Sequence, residues 1–146
     1  MRTRMLIAVA VVGGMLLLAA GATGKTSRYT GPIQPSGTLR FVLTEKSDIL
    51  RLRKGISFSK LPLVCLRRKE TTSGSLTFPV NVHHKQFKAV AKSHSGSSSL
   101  VMKGTFKHHF HKAKGTIRIE GKKVPLDSGG TGKCDSGVRP FRVRER

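Results

Sequence analysis

The sequence contains no tryptophan, one tyrosine, two cysteines and only 7 acidic residues against 28 lysines and arginines in 146 residues. Each shortage narrows the function. Without tryptophan, and with one tyrosine and seven phenylalanines several of which a core requires, a stacking platform for single-stranded bases is disfavoured. The acids Glu45, Asp48, Glu70, Glu120, Asp127, Asp135 and Glu145 are scattered, so no carboxylate pair at short spacing is offered for general acid–base chemistry. Cys65 and Cys134 stand 69 positions apart, which leaves no Cys-x-x-Cys redox or zinc spacing. Apolar residues downstream of the N-terminus show no 3.6-residue period, so no amphipathic helix is predicted.

What is present begins at the N-terminus. Residues Met5 to Gly24 form an uncharged, mostly apolar run behind Arg2 and Arg4, ending near the small triplet Ala20-Gly21-Ala22. A basic start, an apolar stretch and a small-residue site predict a secretory signal peptide over residues 1–22. The competing reading is an uncleaved anchor, because the 18 residues from Met5 to Ala22 approach the roughly 20 needed to span a bilayer. Gly13-Gly14 interrupts the run and no basic stop-transfer cluster follows, which favours cleavage. No cysteine follows the run to carry a lipid. The expected location is therefore extracellular or in the cell envelope.

Removing residues 1–22 leaves 124 residues carrying 26 Lys and Arg against 7 Asp and Glu, a net charge of +19. That length suits one domain with a hydrophobic core. The expected organisation is a linker over 23–36 and a single β domain over 37–146. In an oxidising compartment the two cysteines are most simply a Cys65–Cys134 disulfide.

Short alternating runs separated by Gly, Ser, Pro and charged turns predict an all-β fold, an antiparallel β-sandwich or small β-barrel. Leu39, Phe41 and Leu43 share one face of a strand over 38–44, and Glu45-Lys46-Ser47-Asp48 turns it into a return strand from Ile49. Gly55 and Pro62 are expected to break the stretch to Cys65. A strand over 75–82 would place Leu76, Phe78, Val80 and Val82 together. Strands over 86–92, 100–106, 110–120 and 137–144 complete the set, with Ser93–Ser98 as a loop and a hairpin around Lys107-His108-His109. Gly37-Thr38-Leu39-Arg40-Phe41, Gly74-Ser75-Leu76-Thr77-Phe78 and Gly115-Thr116-Ile117-Arg118-Ile119 share a pattern in which each glycine is expected to open a strand. Ordinary strand chemistry explains the pattern without duplication.

Leu61-Pro62-Leu63-Val64-Cys65, Phe78-Pro79, Lys103-Gly104-Thr105-Phe106, Ala113-Lys114-Gly115-Thr116-Ile117 and Cys134-Asp135-Ser136-Gly137 occur in this order behind the apolar run. In these motifs the chain, from about Tyr29 to Arg144, resembles small uncharacterised exported proteins of high-GC Gram-positive bacteria. The resemblance implies a single secreted β-domain with one cysteine pair and no established activity. Members often carry tryptophan in the last strand, where this chain has Arg139-Pro140-Phe141.

Three local patterns suggest chemistry. Asp127-Ser128-Gly129-Gly130 is similar to the nucleophile segment of chymotrypsin-like proteases, but no Ala-His-Cys context accompanies it and 124 residues are too few for a double barrel. Gly132-Lys133-Cys134 is not a phosphate loop, since Asp127 stands where the first glycine belongs and Cys134 replaces the magnesium-binding hydroxyl. His109 and His111 would share one face if the chain were extended there, a geometry by which a strand offers two imidazoles to a metal. Their neighbours Lys107, Lys112 and Lys114 repel a dication, so a solvated basic turn is the expected reading and no metal site is expected. No cofactor is implied.

Positive charge is the property in excess. Candidate polyanion-binding residues are Arg139, Arg142, Arg144 and Arg146 with Lys112, Lys114, Lys122 and Lys123. Arg142 and Arg144 alternate with Phe141 and Val143, which predicts one wet basic face. The expected partners are anionic polymers: cell-wall polymers, acidic polysaccharide or nucleic acid. A membrane enters only if the N-terminal run is retained. The expected role is a non-enzymatic binding or envelope-associated domain, with a small secreted hydrolase as the competing reading.

Overall fold

The computed structural model describes residues 24–146, all in β structure and its connections. The expected signal peptide, 1–22, lies outside the described residues. Eleven strands follow in order: β1 (Lys25–Pro32), β2 (Thr38–Lys46), β3 (Ile49–Leu52), β4 (Ile56–Cys65), β5 (Arg68–Leu76), β6 (Val80–His83), β7 (Gln86–Lys92), β8 (Ser98–Lys107), β9 (Lys112–Pro125), β10 (Thr131–Asp135) and β11 (Arg139–Glu145).

Eight of them, in the order β11-β1-β2-β3-β6-β7-β8-β9, close into an antiparallel barrel through the β9–β11 pairing. Two long strands carry the rest. One edge of β2 pairs with β3 through Leu43–Lys46 and with β4 through Thr38–Arg40. One edge of β9 pairs with β11 up to Ile117 and with β10 from Glu120. β4 and β10 then meet each other and bridge β2 to β9, with β5 outside β4. Closure leaves the barrel itself without free edges. The Leu126–Gly130 turn covers part of the remaining edge, where the Asp127 amide donates to the Thr71 carbonyl at 2.9 Å.

The alternation read from sequence fills the interior. Leu39, Phe41 and Leu43 of β2, Phe87 and Ala89 of β7, Met102 and Phe106 of β8, Ile117 of β9 and Phe141 and Val143 of β11 are all buried. Tyr29, Phe41, Phe87 and Phe106 form one aromatic cluster with ring centroids 5.1–6.1 Å apart. Such edge-to-face and offset pairs stabilise a core beyond the area they bury.

Several expectations are corrected. The linker over 23–36 contains β1, which pairs with β2 through eight residues. Its inward positions read Ser27, Tyr29 and Gly31, and Gly31 packs against the Arg142 and Val143 backbone, where no side chain fits. One aromatic between a serine and a glycine shows no apolar period. Pro62 does not break the chain: β4 runs through it, with Pro62 opposite Thr71 and a bulge between Phe58 and Leu61 absorbing the irregularity. The strand over 75–82 is two strands, since Thr77-Phe78-Pro79 is a connection and Phe78 is exposed. The residue before a proline and the missing Pro79 donor favour leaving the ladder there. Of the three glycine motifs only Gly37 precedes a strand start. Gly74 lies near the end of β5 and Gly115 within β9.

Cys65 and Cys134 are bonded, directly opposite each other across β4 and β10. The β4–β10 ladder has only two register pairs, Cys65 with Cys134 and Val64 with Asp135. The disulfide therefore staples a seam that has little backbone pairing of its own.

Candidate anion-binding face

The outward residues of β7, β8, β9 and β11 are predominantly basic, and strand register places them in rows. Lys88 of β7 faces Lys103 of β8, and Lys103 faces Thr116 of β9. One step along, Gln86, Thr105, Lys114 and Arg142 follow one another across the four strands. The next row is Lys107, Lys112 and Arg144, continuing through Thr30 of β1 to Arg40 of β2. Neighbouring strands are about 4.8 Å apart, so each directly opposed pair of cations repels at short range.

Two glycines shape this face. Gly104 of β8 is paired with Gly115 of β9, flanked in register by Phe87 and Phe141, whose rings stack inside the barrel at 6.5 Å. A Cβ on Gly104 would strike the Phe87 ring, and one on Gly115 the backbone of Lys103 and Gly104. Outside them lies an open depression of about 890 Å³ whose rim carries Lys88, Lys103, Lys114, Arg142, His83 and His84. A second, of about 420 Å³, shares Lys114 and Arg142 with it and adds Lys107, Lys112, Arg144 and His108. Neither is lined by an acid.

Five of the seven acids are committed elsewhere. Arg118 holds Asp135 at 2.7 Å and Glu120 at 2.9 Å. The Arg118 hydrogen bond, aided by the Gly137 amide, keeps the Asp135 carboxyl below the usual carboxylate range despite partial burial. Asp127 accepts from Thr71 and Ser73, and Glu70 accepts from Ser128. Glu145 lies 2.9 Å from His111, and the Ser27 hydroxyl followed by the His111 ring holds its carboxyl below the ordinary value.

Four of the eight sequence candidates, Lys112, Lys114, Arg142 and Arg144, gather on this face. Arg139 is half-buried and donates its Nε to the Ser136 carbonyl at 2.6 Å. Arg146 lines a different depression with Arg28 and Arg40, and Lys122 lies with Lys92 and Lys133 at the far end of β9. Lys123 is exposed beside it. Sequence reasoning misses Lys88 and Lys103, although both occupy the polar phase of expected strands, and Lys107, which it places in the hairpin turn instead of at the end of β8.

His109 and His111 do not share an extended face. Residues 108–111 form the β8–β9 turn, with positive φ at His108, His109 and Phe110. Among the described residues no group of three or more His, Cys, Asp or Glu is placed to hold a metal. The Asp127-Ser128 segment ties the Leu126–Gly130 turn to β5, and its hydroxyl meets Glu70. In the Ser27, Glu145 and His111 cluster the carboxylate is central, so the imidazole is on the carboxylate instead of the hydroxyl it would have to activate.

No protein-family model, curated protein or solved structure matches this chain.

Proposed function

We propose that this chain is an exported, non-enzymatic domain that binds anionic polymers on the outer face of β7, β8, β9 and β11. The observation that carries the reading is the set of uncompensated like-charge pairs: Lys88 with Lys103, Lys107 with Lys112, Lys112 with Arg144 and Lys114 with Arg142. Directly opposed like charges cost roughly 0.2–1 kcal/mol each on a sheet. A surface used only for solubility gains nothing from such pairing, whereas a polyanion neutralises all of it at once. Aromatic side chains are buried instead of displayed here, so recognition rests on backbone charge and not on stacking. Cell-wall polymers, acidic polysaccharides and nucleic acids share that chemistry. Export is supported by the apolar N-terminal run and by the disulfide.

Duplex DNA serves as a convenient probe of this face. Engaging about five phosphates gives a log–log salt slope near −4 to −5. Replacing Lys112, Lys114, Arg142 and Arg144 with Gln is expected to flatten the slope by about 3 to 4, while Arg139→Gln with Arg146→Gln changes it by less than half as much. Equal slopes in wild type and the four-residue variant would remove this face from the site.

A further inference from the structure

Leu66 occupies a position that local chemistry disfavours on two counts. It begins the Leu66-Arg67 turn between β4 and β5 with φ of 52°, a left-handed conformation that is sterically poor for a bulky L-residue. The residue is 82 % exposed. Of the nine non-glycine residues with positive φ among the described residues, the only other large apolar one is Phe110, which packs on Phe106 at 5.2 Å. A polar residue or glycine would suit the turn better, so an exposed leucine here points to a partner outside the folded chain.

The surroundings indicate what that partner is. Val64, 55 % exposed, shares the outer side of the hairpin with Leu66, and both line a depression of about 940 Å³. Lys92 from the end of β7, Lys122 from β9 and Lys133 from β10 line the same depression. Arg67, Arg68 and Lys69 follow on the hairpin itself. The two acids at the site, Glu120 and Asp135, are both held by Arg118. Lys69 is paired with Val64 on that outer side, whereas Arg68 is paired with Cys65 on the opposite face, so five cations, Arg67, Lys69, Lys92, Lys122 and Lys133, accompany the small apolar tip. Directly behind it, Cys65 is bonded to Cys134, which fixes the hairpin to the barrel.

We propose that this hairpin tip docks on an anionic lipid bilayer, with Leu66 and Val64 entering the apolar boundary and the five basic side chains meeting the headgroups. An apolar anchor plus a basic cluster is the pair of signals that reversible surface attachment needs. The tip is separate from the polyanion face: Lys114 and Glu120 are six residues apart on β9, about 20 Å. The proposal does not depend on the function proposed above.

The test uses the mature protein and sedimentation with vesicles of phosphatidylcholine alone or mixed with phosphatidylglycerol. Wild type is expected to bind only the anionic vesicles. Leu66→Asn is expected to weaken that binding about tenfold by losing apolar burial, while its thermal midpoint stays level or rises because Asn tolerates the left-handed turn. Arg67→Gln with Lys69→Gln is expected to weaken it about 25-fold, roughly fivefold per charge. Lys46→Gln with Lys54→Gln, exposed on either side of β3 and away from both basic sites, is expected to leave vesicle binding within about twofold. Wild-type affinity in Leu66→Asn, or a fall in its thermal midpoint, would overturn the proposal. So would tip variants that lose heparin binding but retain vesicle binding, which would assign the tip to a soluble polyanion.

Discussion

Lys114 on β9 and Arg142 on β11 stand directly opposite each other on the outside of the barrel, and each lines both depressions of the basic face. With Gln86 and Thr105 completing their row, neither cation has a carboxylate among its cross-strand neighbours. Their repulsion is built into the ladder that closes the barrel.

Lys114→Gln should therefore stabilise the fold by about 0.2–1 kcal/mol, because it relieves an opposed cation pair. The same change should weaken polyanion binding and reduce the magnitude of the log–log salt slope by about 0.9. Urea unfolding and a salt titration on one preparation check both signs. A variant less stable than wild type would show that Lys114 has a structural role the register does not reveal.

Reduction of Cys65–Cys134 should lower the melting temperature and leave the β spectrum in place. The bridge closes a separation of 69 residues, for which chain entropy supplies about 4 kcal/mol as an upper figure. The eight-stranded ring closes without β4 or β10, so loss of their two-pair seam leaves its ladders intact. Far-ultraviolet circular dichroism with and without reductant measures this. Non-reducing peptide mapping should recover the Cys65–Cys134 link, and free thiols at both positions would contradict it.

Tyr29 makes the barrel sensitive to alkali. Its hydroxyl donates to the Phe110 carbonyl, and its pKa is raised to about 12, first by burial and then by Glu145, with Ser27 acting in the opposite direction. The unfolded chain releases this proton near 10 and the folded chain near 12, so the contribution is present below pH 10 and lost as pH rises towards 12. Tyr29→Phe should cost about 1 kcal/mol at neutral pH through the lost hydrogen bond. The gap between wild type and variant should narrow from pH 10 upwards in denaturant titrations. A constant gap across that range would show that Tyr29 does not ionise on unfolding.

Gly115→Ala should destabilise by about 1–3 kcal/mol or more, since the added methyl meets the backbone of Lys103 and Gly104, which cannot swing aside as a side chain can. Gly129→Ala, in a turn with nothing near its Cβ, has φ of 106° and should lose stability through backbone strain alone. Thermal unfolding of the pair separates crowding from strain. The Gly115 variant should also bind polyanions more weakly, because β8 and β9 must separate where the two depressions meet.

The all-β fold, the burial of Leu39, Phe41, Leu43, Phe141 and Val143, the disulfide and the outward phase of Arg142 and Arg144 were legible in the sequence. Each follows from the two-residue period of a strand or from the presence of only two cysteines, both local facts. β1 was not legible, because its inner face carries one large side chain and a glycine pressed against another strand. β5 and β10 were hidden for a related reason: β5 buries only Thr72 and Leu76, β10 only Cys134, so neither shows an apolar period. Which cations stand together was decided by register, which sequence does not contain. Pairing β9 with both β8 and β11 brings Lys103, Lys107, Lys112, Lys114, Arg142 and Arg144 onto one face and sends Lys122, Arg139 and Arg146 to others. Strand phase is set residue by residue along the chain, whereas neighbours across a sheet are set by closure of the whole barrel.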